Sequence, residues 1–138
     1  MKKIIKKINK YNGNLLVFDY GYTQNNNVNT LQSLHKHQYI NPLLKIGNSD
    51  ITTHVNFKLF ADILKKNNIN VKKIITQSEF LQKMGIKERA NIVSKKMNFR
   101  EKAQLYLRLK RLLNQKQMGG LFKVLVAQKK GSNFSMGF

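Results

Sequence analysis

Apolar residues change their spacing several times along the 138-residue chain, and each change marks an element. Near the start, Ile8 follows Ile4 by four residues and Ile5 by three, among lysines. That spacing places the three on one face of a short amphipathic helix over residues 2–11. The face suits packing beside the first strand better than lying on a membrane surface. Gly13 is expected to end this helix. Leu15 to Tyr22 then read LLVFDYGY, an apolar run closed by an acid, an aromatic and a glycine. The pattern predicts a buried strand over Leu15 to Phe18 that delivers an acidic loop to a sheet edge, where α/β proteins place their chemistry.

Asn25-Asn26-Asn27 marks an exposed loop. Thr30 to Leu44 lacks periodicity, and Pro42 disfavours helix at Asn41, so this stretch is expected to be irregular. Asn56 is a good N-cap for a helix whose Phe57, Phe60, Ala61 and Leu64 share a face and which Asn67-Asn68 closes. Val71 to Ile75 reads as a short strand. Thr76-x-x-Glu79 has capping-box spacing for a helix through Met84, with Gly85 as its terminator. Helices follow over 87–97 and 99–113, the second opened by Asn98-x-x-Glu101. Gly119-Gly120 is expected to break the chain before Leu121 to Ala127, whose apolar density suits a central strand. The order predicts an α/β domain over residues 1–127 with a three-stranded sheet, and a frayed tail over 128–138.

Composition changes the picture less than its numbers suggest. The net charge is +20, from 26 basic residues against 6 acidic ones. Such a balance ordinarily points to a polyanionic partner such as RNA. Only Arg89, Arg100, Arg108 and Arg111 are arginine, however, while lysine, asparagine and isoleucine are all abundant. These three share AT-rich codons, and the lysines are dispersed, so codon bias explains the balance without a nucleic-acid site. The chain has no cysteine, which removes disulfides and thiolate chemistry. Its apolar runs are too short to span a bilayer, and the lysine-rich start has no apolar signal segment behind it.

Five blocks occur in order: Asp19-Tyr20-Gly21-Tyr22, Thr30 to Leu44, SDITTHVNF (Ser49 to Phe57), TQSEFLQKMGI (Thr76 to Ile86) and MGGLFKVL (Met118 to Leu125). Together they resemble the C-terminal half of the MidA family of S-adenosyl-L-methionine (SAM)-dependent methyltransferases, from about Asn14 to Val126. The family includes a mitochondrial assembly factor that methylates an arginine of a respiratory complex I subunit. The resemblance implies the C-terminal portion of a Rossmann-like methyltransferase fold, a mixed sheet whose final strand runs antiparallel between the other two. It also implies SAM as cofactor, a protein substrate such as a complex I subunit, and a bacterial cytoplasmic or mitochondrial-matrix setting. One departure stands out: the family's HVDF reads His54-Val55-Asn56-Phe57 here, which keeps a helix cap but loses a charge.

Methyl transfer in this fold needs a glycine-rich cofactor turn, and no Gly-x-Gly occurs in these residues. The cofactor-binding half is therefore expected to lie elsewhere, with this chain a split half or fragment, inactive without it. The substrate half is better represented. A guanidinium offers a planar fork of donors and stays charged, so facing carboxylates would orient it and accept its proton. Asp19, Asp50 and Glu79 are the candidate catalytic acids. Each also has a local explanation, as a turn cap, a loop acceptor or half of a capping box. Tyr20, Gly21, His37, His54 and Asn56 are the candidate substrate contacts. His35, His37 and His54 have no metal-ligand spacing, and a metal site is not expected. The alternative function is a non-enzymatic basic module for RNA or another polyanion.

Overall fold

The computed structural model describes residues 1–24 and 29–138, so the expected Asn25–Asn27 loop lies outside the described residues. The elements are α1 (Lys2–Tyr11), β1 (Asn14–Tyr22), β2 (Gln32–His35), β3 (Gln38–Ile40), β4 (Asp50–Thr52), β5 (Val55–Asn56) and α2 (Phe57–Lys66). They continue as β6 (Ile69–Val71), β7 (Ile75–Thr76), α3 (Gln77–Lys83), α4 (Ile86–Ser94), α5 (Phe99–Leu113), α6 (Met118–Leu121) and β8 (Phe122–Lys129).

The main sheet has five strands, not the three expected from sequence. β8 lies antiparallel between β1 and β6, the place expected of the final strand. The extra strands are two residues each and carry no readable period. β5 pairs parallel with the end of β1, and β7 adds to β8 beyond β6. The single strand expected over Val71 to Ile75 is thus interrupted at Lys72–Ile74, although the Lys72 amide still donates to the Val126 carbonyl. β1 itself runs four residues past Phe18. Its ladder continues through Asp19↔Lys123 and Tyr20↔Phe122, then Gly21↔Val55 and Tyr22↔Asn56.

A separate three-stranded sheet, β3-β2-β4, takes β2 and β3 from the stretch expected to be irregular, Thr30 to Leu44, and β4 from just beyond it. Its hairpin turns at Lys36 and His37, both with positive φ (48° and 64°). Such turns usually advertise themselves by Asn-Gly, and Lys-His does not. Gly119-Gly120 is also not a break but part of α6, folded tightly against the end of α5. A Cβ on Gly119 would meet the Leu113 and Asn114 carbonyls at 2.6 and 2.8 Å.

The core sits between the sheet and helices α1 and α2. Ile5, Ile8, Phe57, Ala61, Leu64, Ile69, Leu125 and Ala127 form one cluster, with Leu15 and Val17 packed against it. Hence α1 turns Ile5 and Ile8 inward while Ile4, expected on the same face, stays exposed, and the helix ends at Asn12 (φ 52°) rather than Gly13. Ile75, Phe80 and Val124 form a second cluster on the opposite sheet face. There the Phe80 ring meets Phe18 edge-on at 4.9 Å and Phe138 at 5.7 Å. The last strand extends two residues past 127, and the final residue rests on Phe80.

Candidate active site

Side chains alternate between sheet faces along a strand, so the residues of Asp19-Tyr20-Gly21 have different surroundings. Asp19 shares with Val17 the face toward α2. It lines an open cleft of 430 Å³ with Val55, Asn56, Leu59, Phe60 and Ile63. One carboxylate oxygen, Oδ1, accepts the Tyr20 amide at 2.8 Å, which fixes the group at the strand end. Among the described residues no lysine or arginine forms an ion pair with Asp19. Asn56 caps α2 as expected, its Oδ1 accepting the Leu59 amide at 2.9 Å, and so stands beside Asp19 in the cleft.

Tyr20 turns the other way. Its ring meets His54 at 5.6 Å and Phe122 at 5.7 Å, both edge-on. The His54 amide donates to Thr30 Oγ1 at 3.1 Å, which holds the imidazole at the end of the strand. Gly21 is buried where β1 crosses toward α2. A Cβ there would overlap the Val55 carbonyl and come within 2.8 and 2.9 Å of the Phe57 ring.

The other expected residues stand apart. Asp50 is exposed on β4 in the small sheet. His37 is exposed at the tip of the β2–β3 hairpin. Glu79 lies in the first turn of α3, on the sheet face opposite Asp19, and pairs with Lys83 at 3.3 Å. Its amide donates to Thr76 Oγ1 at 3.2 Å. The structure therefore joins Asp19 with Asn56, and Tyr20 with His54, but does not gather the three acids. Among the described residues no group of three or more potential ligands could hold a metal.

Sequence reading missed Lys123. It is the register partner of Asp19 on β8, hence on the same face, yet its ammonium donates to the Gly120 carbonyl. Partial burial holds its pKa below the ordinary lysine value. The signal was a lone charge inside the apolar run LFKVLVA.

Residues 1–75 match the family model described as "Putative S-adenosyl-L-methionine-dependent methyltransferase". The chain belongs to that family, the MidA type of SAM-dependent methyltransferase. Protein arginine methyltransferase NDUFAF7, mitochondrial, of Xenopus tropicalis is 30% identical over 124 residues, 89% of this chain. The Xenopus laevis protein of the same name gives the same figures. The chain spans 28% of the length of these curated relatives. A native crystal structure of a Burkholderia thailandensis protein superposes with a TM-score of 0.81 at 21% identity, over 92% of this chain and 35% of that one. A second structure from that organism, bound to S-adenosyl-homocysteine, gives 0.75 at 22% identity, over 91% of this chain and 34% of the other. At these identities the two structures establish the fold.

The described residues do not form a cradle for the family's cofactor. The one glycine pair is filled by the chain itself, since a Cβ on Gly120 would meet Gln115 backbone atoms. No glycine turn follows β1, which continues as strand through Tyr22.

Proposed function

We propose that this chain is the substrate-facing, C-terminal portion of a SAM-dependent protein arginine methyltransferase, with Asp19 as the residue that engages the target guanidinium. The observation that carries this is a partly buried carboxylate with no ion-pair partner among the described residues, in a chain of 26 basic and 6 acidic residues. Acid is scarce: Asp62 pairs with Lys58, Glu79 with Lys83, and Glu101 caps α5, while Asp50 and Glu88 are exposed, so among the described residues Asp19 is the one partly buried acid without a cation. At Asp19 the adjacent lysine is directed to a carbonyl instead. A half-buried carboxylate left without an internal cation fits a cationic ligand from outside.

In this reading Asp19 orients the guanidinium fork and accepts its proton. Asn56 offers its amide nitrogen to the same cleft. Tyr20 and His54 form an aromatic wall on the other side of the strand. Asp50, Glu79 and His37 are reached only if further parts of the enzyme or the substrate bring them to the cleft. The glycine-rich portion joins along β1, whose residues 14–20 pair, among the described residues, with β8 on one side only. By the same reading the substrate is a protein such as a respiratory complex I subunit. The setting is mitochondrial, like that of the named relatives, or the bacterial cytoplasm. No helix among the described residues is long and apolar enough to cross a membrane.

The test is a chimera in which this chain replaces the matching 124 residues of the Xenopus tropicalis relative. Incubated with methyl-labelled SAM and the relative's protein substrate, the chimera should label an arginine. Asp19→Asn should cut the rate by roughly 10²–10⁴-fold without changing the circular dichroism spectrum. A chimera that is active and indifferent to Asp19→Asn would overturn the assignment.

A further inference from the structure

α5 is the longest helix of the chain and none of its residues is buried. Its Leu105, Leu109 and Leu112 recur at i, i+4 and i+7. Across from them Ile86, Ala90 and Val93 of α4 recur at the same spacing, and together the six line a groove of 360 Å³. Each wall is two turns long, about 10 Å. Ala90 is buried between the two walls. The apolar stripe of one helix normally faces a core; here the two stripes face each other, and Ile86 and the three leucines are left only partly buried, with Val93 exposed.

Arg89 and Arg108 complete the lining, one from each wall. Among the described residues neither forms an ion pair. Their identity is informative. All four arginines of the chain lie on these two helices, while the other 22 of its 26 basic residues are lysines spread over its length. A bias toward AT-rich codons accounts for lysine anywhere but gives no reason to keep arginine in one place. Arginine's planar fork suits bidentate contact with carboxylates in a way the lysine ammonium does not.

We propose that the α4–α5 groove is a docking site for an acidic amphipathic helix of a protein partner. Two turns of that helix lay leucine-like residues into the groove, while flanking carboxylates meet Arg89 and Arg108. The charge of the chain argues against a second copy as occupant, since each copy carries +20 and six acids in all. RNA fits the rim but not the floor, which contains no aromatic ring for a base to stack on. The inference is independent of methyl transfer and survives or fails without it.

The probe is a labelled, stapled helix of about 16 residues with leucines at i, i+4 and i+7 and glutamates beside them. Its binding to the 138-residue chain is read by fluorescence anisotropy at about 0.15 M salt. A matched helix with lysines replacing the glutamates and a short single-stranded RNA are run in parallel. Saturable one-to-one binding of the acidic helix is expected. The double variant Arg89→Glu/Arg108→Glu should weaken it at least about tenfold and turn the preference to the lysine helix. Lys2→Glu/Lys3→Glu on α1 changes the net charge equally and should leave affinity within about twofold. Both arginines are exposed, and unchanged helical dichroism would confirm that folding is intact. No saturable binding, equal loss in the two double variants, or tighter RNA binding removed by the arginine reversals would each overturn the proposal.

Discussion

Gly21→Ala tests the packing that holds the Asp19 cleft in shape. Gly21 is buried where β1 passes from β8 to β5, and its φ lies in the ordinary negative range, so backbone strain is not at issue. Space is. The new methyl would overlap the Val55 carbonyl and press on the Phe57 ring, which is 0% exposed and belongs to the main core. Relief requires either moving that ring or opening the Gly21↔Val55 pairing. Overpacking of a closed core costs about 1–3 kcal/mol, and a lost strand bond about 1 kcal/mol more. The expected destabilisation is about 3 kcal/mol, or a fall of roughly 1–2 M in the urea midpoint. Urea titration followed by far-ultraviolet circular dichroism measures it. Gly13→Ala is the control, because nothing lies within 4 Å of a Cβ there. A change below about 0.5 kcal/mol at Gly21 would refute the packing argument. If methyl transfer nonetheless failed in that variant, the glycine would be a substrate contact instead.

Three further outcomes are expected. Asn98→Ala removes half of a complete capping box on α5 and should cost about 1 kcal/mol in the same titration; no change would mean that the frayed end is re-satisfied by water. Phe138→Ala should cost about 1 kcal/mol through its contact with Phe80, measurable as a lowered melting temperature, whereas a freely frayed terminus would show none. For Lys123 the folded-state pKa is lowered by burial, so the unfolded chain keeps that proton to higher pH. The penalty is full at neutral pH, and stability should rise as pH climbs through the window below the ordinary value of 10.5. Lys123→Met should raise stability slightly at neutral pH and flatten that alkaline rise; a rise that persists in the variant would assign it to other groups.

What could be read in the sequence was what neighbouring residues decide among themselves. Asn56, Thr76 and Asn98 cap their helices because each side chain needs only an amide three residues on. Gly85 ends its helix with φ 77°, a conformation that glycine adopts freely. Elements made by distant partners stayed hidden. β5 and β7 are strands only because β1 and β8 pass beside them, and two residues have no period. The same limit applied to the site. Asp19 and Asn56 were singled out separately, and only the parallel β1–β5 pairing brings them to one cleft. Asp50 and Glu79 were singled out on residue type, which says nothing about the face or sheet they occupy.

The extension of β1 through Tyr22 decides how its acid can work. Had the chain left the sheet at Phe18, Asp19 would sit on a loop free to turn toward any of the surrounding lysines. Held in the ladder, its carboxylate is committed to the α2 face, and the Tyr20 amide fixes its rotation. The nearest cation by register, Lys123, is on that face too, but its ammonium bonds the Gly120 carbonyl at the end of α6. The tight turn that allows this depends on Gly119 and Gly120, whose Cβ positions are already filled by residues 113–115. A glycine pair expected from sequence only to break the chain before a strand therefore shapes the site: it draws the lysine aside and leaves the carboxylate without a cation among the described residues.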